Sequence, residues 1–152
     1  MATTAALTAP APLSVEALLG GRRVLQIKPR SPLDWVEAIR RGIPAAAFES
    51  LLQVIRISQA DMSTALGIPE RTLARRKREG LFNSEESAKL VRLARVIERA
   101  EGVFENLDAA IDWLKSPNAA LKRITPLSLL DTDIGAENVM DTLGRIEHGV
   151  FA

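Results

Sequence analysis

The spacing of apolar residues along this chain is compatible with few folds. Apolar side chains recur at intervals of three and four, which is the pattern of one buried face on an α-helix. Almost no segment alternates apolar and polar residues with the two-residue period of a strand. We therefore predict an all-α fold. The clearest series are Phe48, Leu51, Leu52 and Ile55, and further on Leu90, Leu93, Ala94 and Ile97.

Capping residues, prolines and glycines divide this pattern into separate helices. Ser14 is placed to cap a short helix, and Ser31-Pro32 opens another that ends at Gly42. The residues 24–27 are compatible with a short strand. Asn83 or Ser84 is expected to cap the longest helix. The remaining helices are predicted from Pro44 through Ile55, over Leu107–Lys115, from Thr125-Pro126 through Leu130, and over residues 135–148.

Charge is distributed unevenly along the sequence. Residues 1–100 carry 16 Lys and Arg against 10 Asp and Glu, a net charge of +6, whereas residues 101–152 carry 4 against 9, a net charge of −5. A basic part suits an anionic partner, and an acidic part suits a cationic one. We predict a disordered tail over residues 1–13, a helical domain over 14–104 and a second helical domain over 105–152.

The composition disfavours a secreted or membrane-bound protein. The sequence contains no cysteine, which excludes disulfides and thiolate metal ligands. Its N-terminal segment has neither the basic start nor the continuous apolar core of a secretory signal. Charged residues interrupt every long apolar stretch. We therefore expect a cytoplasmic protein with no membrane partner.

The sequence offers no set of residues typical of an enzyme. His148 is the only histidine, which excludes a metal site with several histidine ligands, and no carboxylate pair has a positioned partner. Gly20-Gly21 lacks the Lys-Ser or Lys-Thr that follows in a phosphate-binding loop. We expect neither enzymatic activity nor a bound metal or cofactor.

Residues 57–80 have the sequence of a helix-turn-helix pair. Ser58 is placed to cap the first helix. Gly67 can adopt the positive φ of the turn at little energetic cost, and Ile68 is expected to pack between the two helices. The second helix begins at Pro69 or Glu70 and is expected to bury Leu73. Such a pair reads DNA when the second helix presents a basic surface to the major groove.

The second helix does carry a basic surface. Five of the eight residues from Arg71 to Arg78 are Lys or Arg. At 100° per residue, Arg71, Arg75 and Arg78 fall on one exposed face, from which arginine can donate two hydrogen bonds to guanine. The alternative is that these charges only keep the protein soluble. The predicted contacts to operator DNA are Ser58, Gln59, Arg71, Thr72, Arg75, Arg76, Lys77 and Arg78.

From about residue 50 onward the sequence resembles the Xre/MbcA/ParS antitoxins. The resemblance implies an Xre-type helix-turn-helix domain followed by a small helical toxin-binding domain. It also implies that the partner is a RES-domain toxin, which depletes NAD and is encoded by the adjacent gene. Residues 122–124 and Ser128 depart from the family pattern. The matching segments are LGIPERTLARRKREG (66–80), SAKLVRLARVIERAEGVF (87–104), AIDWLKSPNAAL (110–121), TPLSLLDTDIG (125–135) and GRIEHGV (144–150).

The same resemblance assigns toxin binding to the acidic C-terminal part. Asn118 and Thr125 are equally typical of helix boundaries, and Ile146 and Val150 equally suit packing on the core. The candidate toxin-contacting residues are Asn118, Leu121, Thr125, Leu129, Arg145, Ile146, Glu147, His148 and Val150.

A second class of function fits the residues without the resemblance, namely a helix-turn-helix transcriptional regulator whose C-terminal domain dimerises or senses a ligand. In both cases we expect a homodimer, because one recognition helix spans too few bases for specificity. The apolar helix over residues 84–104 is the predicted dimer interface.

Overall fold

The chain folds into α-helices joined by short turns, which confirms the predicted all-α class. A computed structural model describes residues 13–149. Within this range, two isolated β-bridges, Pro44 with Leu81 and Asn118 with Ile124, are the only extended pairing. The helices are α1 (Val15–Leu18), α2 (Gly21–Leu25), α3 (Pro32–Arg41), α4 (Ala45–Ile55), α5 (Gln59–Leu66), α6 (Glu70–Glu79), α7 (Ser84–Phe104), α8 (Leu107–Lys115) and α9 (Asp133–Glu147), with 3₁₀ turns at Ala119–Leu121 and Pro126–Leu129.

Side-chain caps set the starts of these helices. The Ser31 hydroxyl accepts a hydrogen bond from the Asp34 N–H at 3.3 Å, and Pro32 occupies the first helical position. Asn83 and Glu86 form a reciprocal capping box at the start of α7. Each cap satisfies N–H groups that have no partner inside the helix.

The long helix α7 contacts helices from both parts of the chain. It packs against α1, α3 and α5 on the N-terminal side and against α8 and α9 on the C-terminal side. Its buried apolar residues belong to one core that runs from Val15 to Leu143. These residues are Leu90, Val91, Leu93, Ala94, Val96, Ile97 and Ala100.

This packing contradicts the predicted dimer interface. The apolar stripe of α7, which we expected to face a second copy, is buried by helices of the same chain. Burial against its own core leaves the stripe no surface to offer a partner. A homodimer therefore needs another surface.

Two predictions of secondary structure, one strand and one helix start, are also wrong. Residues 24–27 do not form a strand; residues 21–25 form α2, which buries Leu25. Four residues are too few to separate a two-residue period from one helical turn. The last helix begins at Asp133 rather than Gly135, because the Thr132 hydroxyl accepts a hydrogen bond from the Gly135 N–H and acts as the cap.

The ends of the chain fall mostly outside the described residues. The predicted tail, residues 1–13, is described only at Leu13, which packs against the core. Val150 also lies outside the described range. Within residues 13–149, no helix is long and apolar enough to span a membrane.

Candidate nucleic-acid interface and partner-binding groove

The helix-turn-helix pair forms from α5 and α6 as the sequence predicts. Gly67 adopts φ 66° at the turn, and Ile68 and Leu73 are buried. The Ser63 hydroxyl donates a hydrogen bond to the Ile68 carbonyl at 2.6 Å, which ties the turn to the first helix. The two helices are therefore held at a fixed angle by apolar packing and by this hydrogen bond.

The exposed face of α6 carries the arginines that the helical period places there. Arg71, Arg75 and Arg78 are all exposed, while Thr72 between them is half-buried. Lys77 is exposed and forms an ion pair with Glu49 of α4, with 3.4 Å between Nζ and Oε1. Three exposed guanidinium groups on one helix face can donate hydrogen bonds to base edges and to phosphates.

Arg76 is oriented away from this face. Its Nε and Nη2 donate hydrogen bonds to the Glu86 carboxylate at 2.7 and 3.1 Å, and its Nη1 donates to Glu79 at 2.8 Å. The hydrogen bond to Glu86 has the largest effect on the pKa of the Arg76 guanidinium, and that to Glu79 adds to it. Both raise this pKa. Burial raises the pKa of Glu86, but hydrogen bonds from Arg76 and the Asn83 backbone outweigh burial and hold the pKa below its ordinary value.

The Arg76–Glu86 pair therefore joins α6 to the first turn of α7. Glu86 is 8% exposed and also accepts a hydrogen bond from the Asn83 N–H at 3.0 Å. Because these contacts hold the Arg76 guanidinium within the protein, the DNA contacts proposed below do not include Arg76. Local sequence patterns do not predict this pair, because the two residues lie on different helices.

At the start of α5, the two predicted DNA contacts differ in their roles. The Ser58 hydroxyl accepts a hydrogen bond from the Asp61 N–H at 3.0 Å, so it serves as the helix cap. Gln59 is exposed in the first turn of α5. Backbone and side-chain groups at this helix N-terminus remain suited to a phosphate.

In the C-terminal part, two predicted contact residues are caps. The Asn118 carbonyl Oδ1 accepts a hydrogen bond from the Ala120 N–H at 2.8 Å. The Thr125 Oγ1 accepts one from the Ser128 N–H at 3.4 Å and begins the second 3₁₀ turn. Both residues shape the chain between α8 and α9, whether or not they touch a partner.

Three other predicted residues meet at one groove. Leu121 and Leu129 are half-buried, and exposed Arg145 of α9 lies at the same groove. Ile124, 42% exposed, adds an apolar side chain. We call this the α9 groove. Its other lining residues are Ala120, Lys122, Asn138, Asp141 and Thr142.

Sequence reasoning missed Ile124, Asn138 and Asp141 at this groove. Asn138, Asp141 and Arg145 follow one another at intervals of three and four, so the helical period could have placed them on one face. Ile124 gave no such signal, since it lies in a turn. A further exposed apolar residue, Ile134, is 73% exposed in the first turn of α9.

The predicted toxin contacts in the last turn of α9 lie in different surroundings. Glu147 pairs with Arg99 of α7 at 2.7 and 3.1 Å, and hydrogen bonding with Arg99 holds the pKa of Glu147 below its ordinary value. His148 is exposed at the C-cap position, and Ile146 is half-buried. The structure thus brings Arg145 to the α9 groove but directs Glu147 to α7.

Comparison with known proteins identifies both parts of the chain. A model of the antitoxin Xre-like helix-turn-helix domain matches residues 34–95, and one of the antitoxin Xre/MbcA/ParS C-terminal toxin-binding domain matches residues 99–149. An antitoxin Xre from Yersinia enterocolitica is 38% identical over 119 residues, which cover 77% of this chain and 80% of the relative. The chain belongs to the Xre antitoxin family.

Two further relatives extend this comparison. An antitoxin Xre from Photorhabdus laumondii is 34% identical over 75% of this chain and 78% of the relative. A protein named Prs ADP-ribosylating antitoxin, from a Sphingobium species, is 27% identical over 80% of this chain and 83% of the relative. The two matched models divide this antitoxin within α7, and the boundary after residue 104 stays a prediction. The α9 groove lies wholly inside the toxin-binding match.

Proposed function

We propose that this antitoxin neutralises a RES-domain toxin, encoded by the adjacent gene and acting on NAD, and that it represses its own operon as a DNA-bound homodimer. The observation that carries the proposal is the separation of two surfaces. Exposed arginines of α6 form one, and the α9 groove forms the other. The toxin-binding match removes the reason to assign a ligand sensor to the C-terminal part.

We assign the toxin contact to the α9 groove. Leu121, Ile124 and Leu129 supply apolar surface for a side chain of the partner, while Asp141 and Arg145 supply charges of both signs beside it. An apolar centre with a charged rim is the arrangement from which interfaces draw most of their affinity. Of the candidates outside this groove, Ile146, Glu147, His148 and Val150 stay secondary contacts in the proposal.

Substitutions in the groove test this assignment. Ile124→Ser combined with Arg145→Ala should weaken toxin binding by about 2 kcal/mol or more, the loss expected for a central interface contact. Leu33→Ser is the matched control, because Leu33 is 74% exposed and lies outside the toxin-binding match. Binding is measured by calorimetry on purified complexes, and circular dichroism checks that each variant keeps its helical content. Unchanged affinity in the groove variant would show that the toxin binds elsewhere.

The toxin chemistry is tested in cells that co-express both proteins. Wild-type antitoxin should preserve growth and cellular NAD, and the groove variant should lose both. A RES-type toxin should lower cellular NAD when it is expressed without the antitoxin, and unchanged NAD would overturn the RES assignment. Since one relative is named for ADP-ribosylation of Prs, blots for ADP-ribosylated protein distinguish transfer of ADP-ribose to a protein from hydrolysis of NAD.

DNA binding is assigned to Arg71, Arg75 and Arg78 with Gln59. Replacing Arg71 or Arg75 by Ala should cost about 1–3 kcal/mol if each contacts a base edge. Arg95→Ala is the control, because exposed Arg95 lies beside Glu98 and α9 instead of α6. Binding is measured by fluorescence anisotropy on duplex DNA from the region upstream of the antitoxin gene. Equal affinities for wild type and the triple Ala variant of α6 would refute the assignment.

The homodimer is proposed on symmetry, because a two-fold operator is matched by a two-fold protein. Light scattering after size-exclusion chromatography should give twice the chain mass at micromolar concentration. A monomeric mass both free and on DNA would contradict it.

A further inference from the structure

A second cationic element adjoins the recognition helix. Arg40 and Arg41 form the last turn of α3, outside the helix-turn-helix pair, and both are exposed. Arg41 lines a shallow depression with Asp34 and Glu37 of its own helix. Among residues 13–149, however, neither arginine forms an ion pair within 4.0 Å.

Backbone contacts join the segment that directly follows this arginine pair to the segment that follows α6. The Phe82 N–H donates to the Ile43 carbonyl at 3.0 Å, and the Ala45 N–H donates to the Gly80 carbonyl at 3.0 Å. The Ile43 N–H also donates to the buried Ser87 hydroxyl at 2.8 Å. The chain that leaves α3 and the chain that leaves α6 therefore form one paired segment.

Gly42 shows how close this approach is. A Cβ atom built on Gly42 would lie 2.6 Å from the Phe82 carbonyl oxygen, and Gly42 adopts φ 103°. No other residue type fits both the conformation and the contact. Arg41 is the direct neighbour of Gly42, so the arginine pair is held next to the exit of the recognition helix.

The length of α6 allows this position to reach the DNA backbone. A ten-residue helix is about 15 Å long, whereas the major groove is about 12 Å wide. When the N-terminal residues of a recognition helix reach base edges and its axis crosses the groove, its C-terminal end comes to the phosphate wall. Duplex DNA presents one phosphate charge about every 1.7 Å along its axis, so an exposed cation there meets phosphates.

We propose that Arg40 and Arg41 form a phosphate clamp that binds the DNA backbone beside the groove occupied by α6. The inference rests on the proposed DNA binding by α6 and extends the contact surface beyond the helix-turn-helix pair. Phosphate contacts of this kind fix the register and orientation of the reading helix and carry no base preference. The clamp adds affinity to all sequences alike, and Arg71 and Arg75 discriminate among them.

The test compares paired substitutions in the full chain. Arg40→Gln with Arg41→Gln removes two charges and keeps good helix formers in α3. Arg22→Gln with Arg23→Gln is the matched control, because both residues are exposed arginines on one helix and lie outside the helix-turn-helix match. Affinity for upstream duplex DNA and for a scrambled duplex is measured by anisotropy at several salt concentrations, and thermal melting verifies folding.

The Arg40/Arg41 variant should bind both duplexes roughly tenfold more weakly at about 0.1 M salt. Its plot of log affinity against log salt should be shallower by about one to two, since each lost phosphate contact removes about 0.9. The Arg22/Arg23 control should retain the wild-type slope. An unchanged slope in the Arg40/Arg41 variant, or an equal change in the control, overturns the clamp.

The design separates this inference from the proposed function. If wild type binds DNA and loses affinity on Arg71→Ala but not in the Arg40/Arg41 variant, only the clamp fails. If wild type binds neither duplex, the proposed DNA binding fails. Arg40→Lys with Arg41→Lys should restore the slope, because phosphates accept hydrogen bonds from either cation.

Discussion

Gly135 provides a sharp test of the close contact at the start of α9. A Cβ atom added at this position would lie 1.9 Å from the Leu129 carbonyl oxygen and 2.8 Å from its carbonyl carbon. Cβ contacts below 3.0 Å essentially do not occur, so the backbone of the second 3₁₀ turn and that of α9 must separate by about 1 Å. The obstacle is backbone, which cannot rotate away as a side chain can.

Gly135→Ala should therefore lower the free energy of unfolding, whereas the same substitution at an ordinary helical glycine raises it. Helix propensity alone favours Ala by about 0.5–1 kcal/mol. Forced separation of packed segments costs typically about 1–3 kcal/mol. We expect a net loss of about 1–2 kcal/mol in the free energy of unfolding, or a Tm lower by roughly 2–8 °C for a chain of this size.

The matched control is Gly102→Ala in α7, where an added Cβ meets nothing within 4 Å. That substitution should raise stability by about 0.5–1 kcal/mol. Urea unfolding followed by circular dichroism measures both variants. If Gly135→Ala is as stable as Gly102→Ala, the contact between Leu129 and Gly135 is not as close as described. Because Leu129 also lines the α9 groove, Gly135→Ala should weaken toxin binding as well.

Three further substitutions test individual contacts. Folding lowers the pKa of Glu86, so its contribution to stability is present above the ordinary value of about 4.5 and is lost as the pH falls through the folded value. Glu86→Gln should therefore flatten the loss of stability that urea titrations detect below about pH 4.5, and unchanged pH dependence would contradict the pairing with Arg76. Arg99→Gln should raise the pKa of Glu147 towards its ordinary value in carboxyl NMR titrations; no change would show that the pair is absent in solution. Asn118→Ala should cost about 0.5–2 kcal/mol of stability because it removes a cap, and a variant as stable as wild type would refute that role.

Most helices could be predicted from the sequence, since their determinants are local. The caps at Ser31, Ser58 and Asn83 act within three residues, and the apolar period of α7 is visible along its whole length. The turn at Gly67 and the buried side chain of Leu73 follow from the same short-range rules. The failure at residues 24–27 came from a segment too short to show any period.

The site was predicted less completely, because it combines residues that are distant in sequence. Arg71, Arg75 and Arg78 were placed correctly on one exposed face by the helical period. Arg76 was not, since its partner Glu86 belongs to the next helix. The α9 groove likewise joins the turns around Leu121 and Leu129 to α9, and no local pattern specifies that meeting.

Local patterns in the sequence are therefore enough to specify the helical class, the helix-turn-helix pair and the asymmetry of charge. Among residues 13–149, the packing of the helices selects the charged side chains that form ion pairs and turns the apolar stripe of α7 towards its own chain. It also pairs the segment that follows α3 with the segment that follows α6. The physical reason is that helix formation depends on contacts three and four residues apart, whereas ion pairs and grooves depend on how separate helices pack.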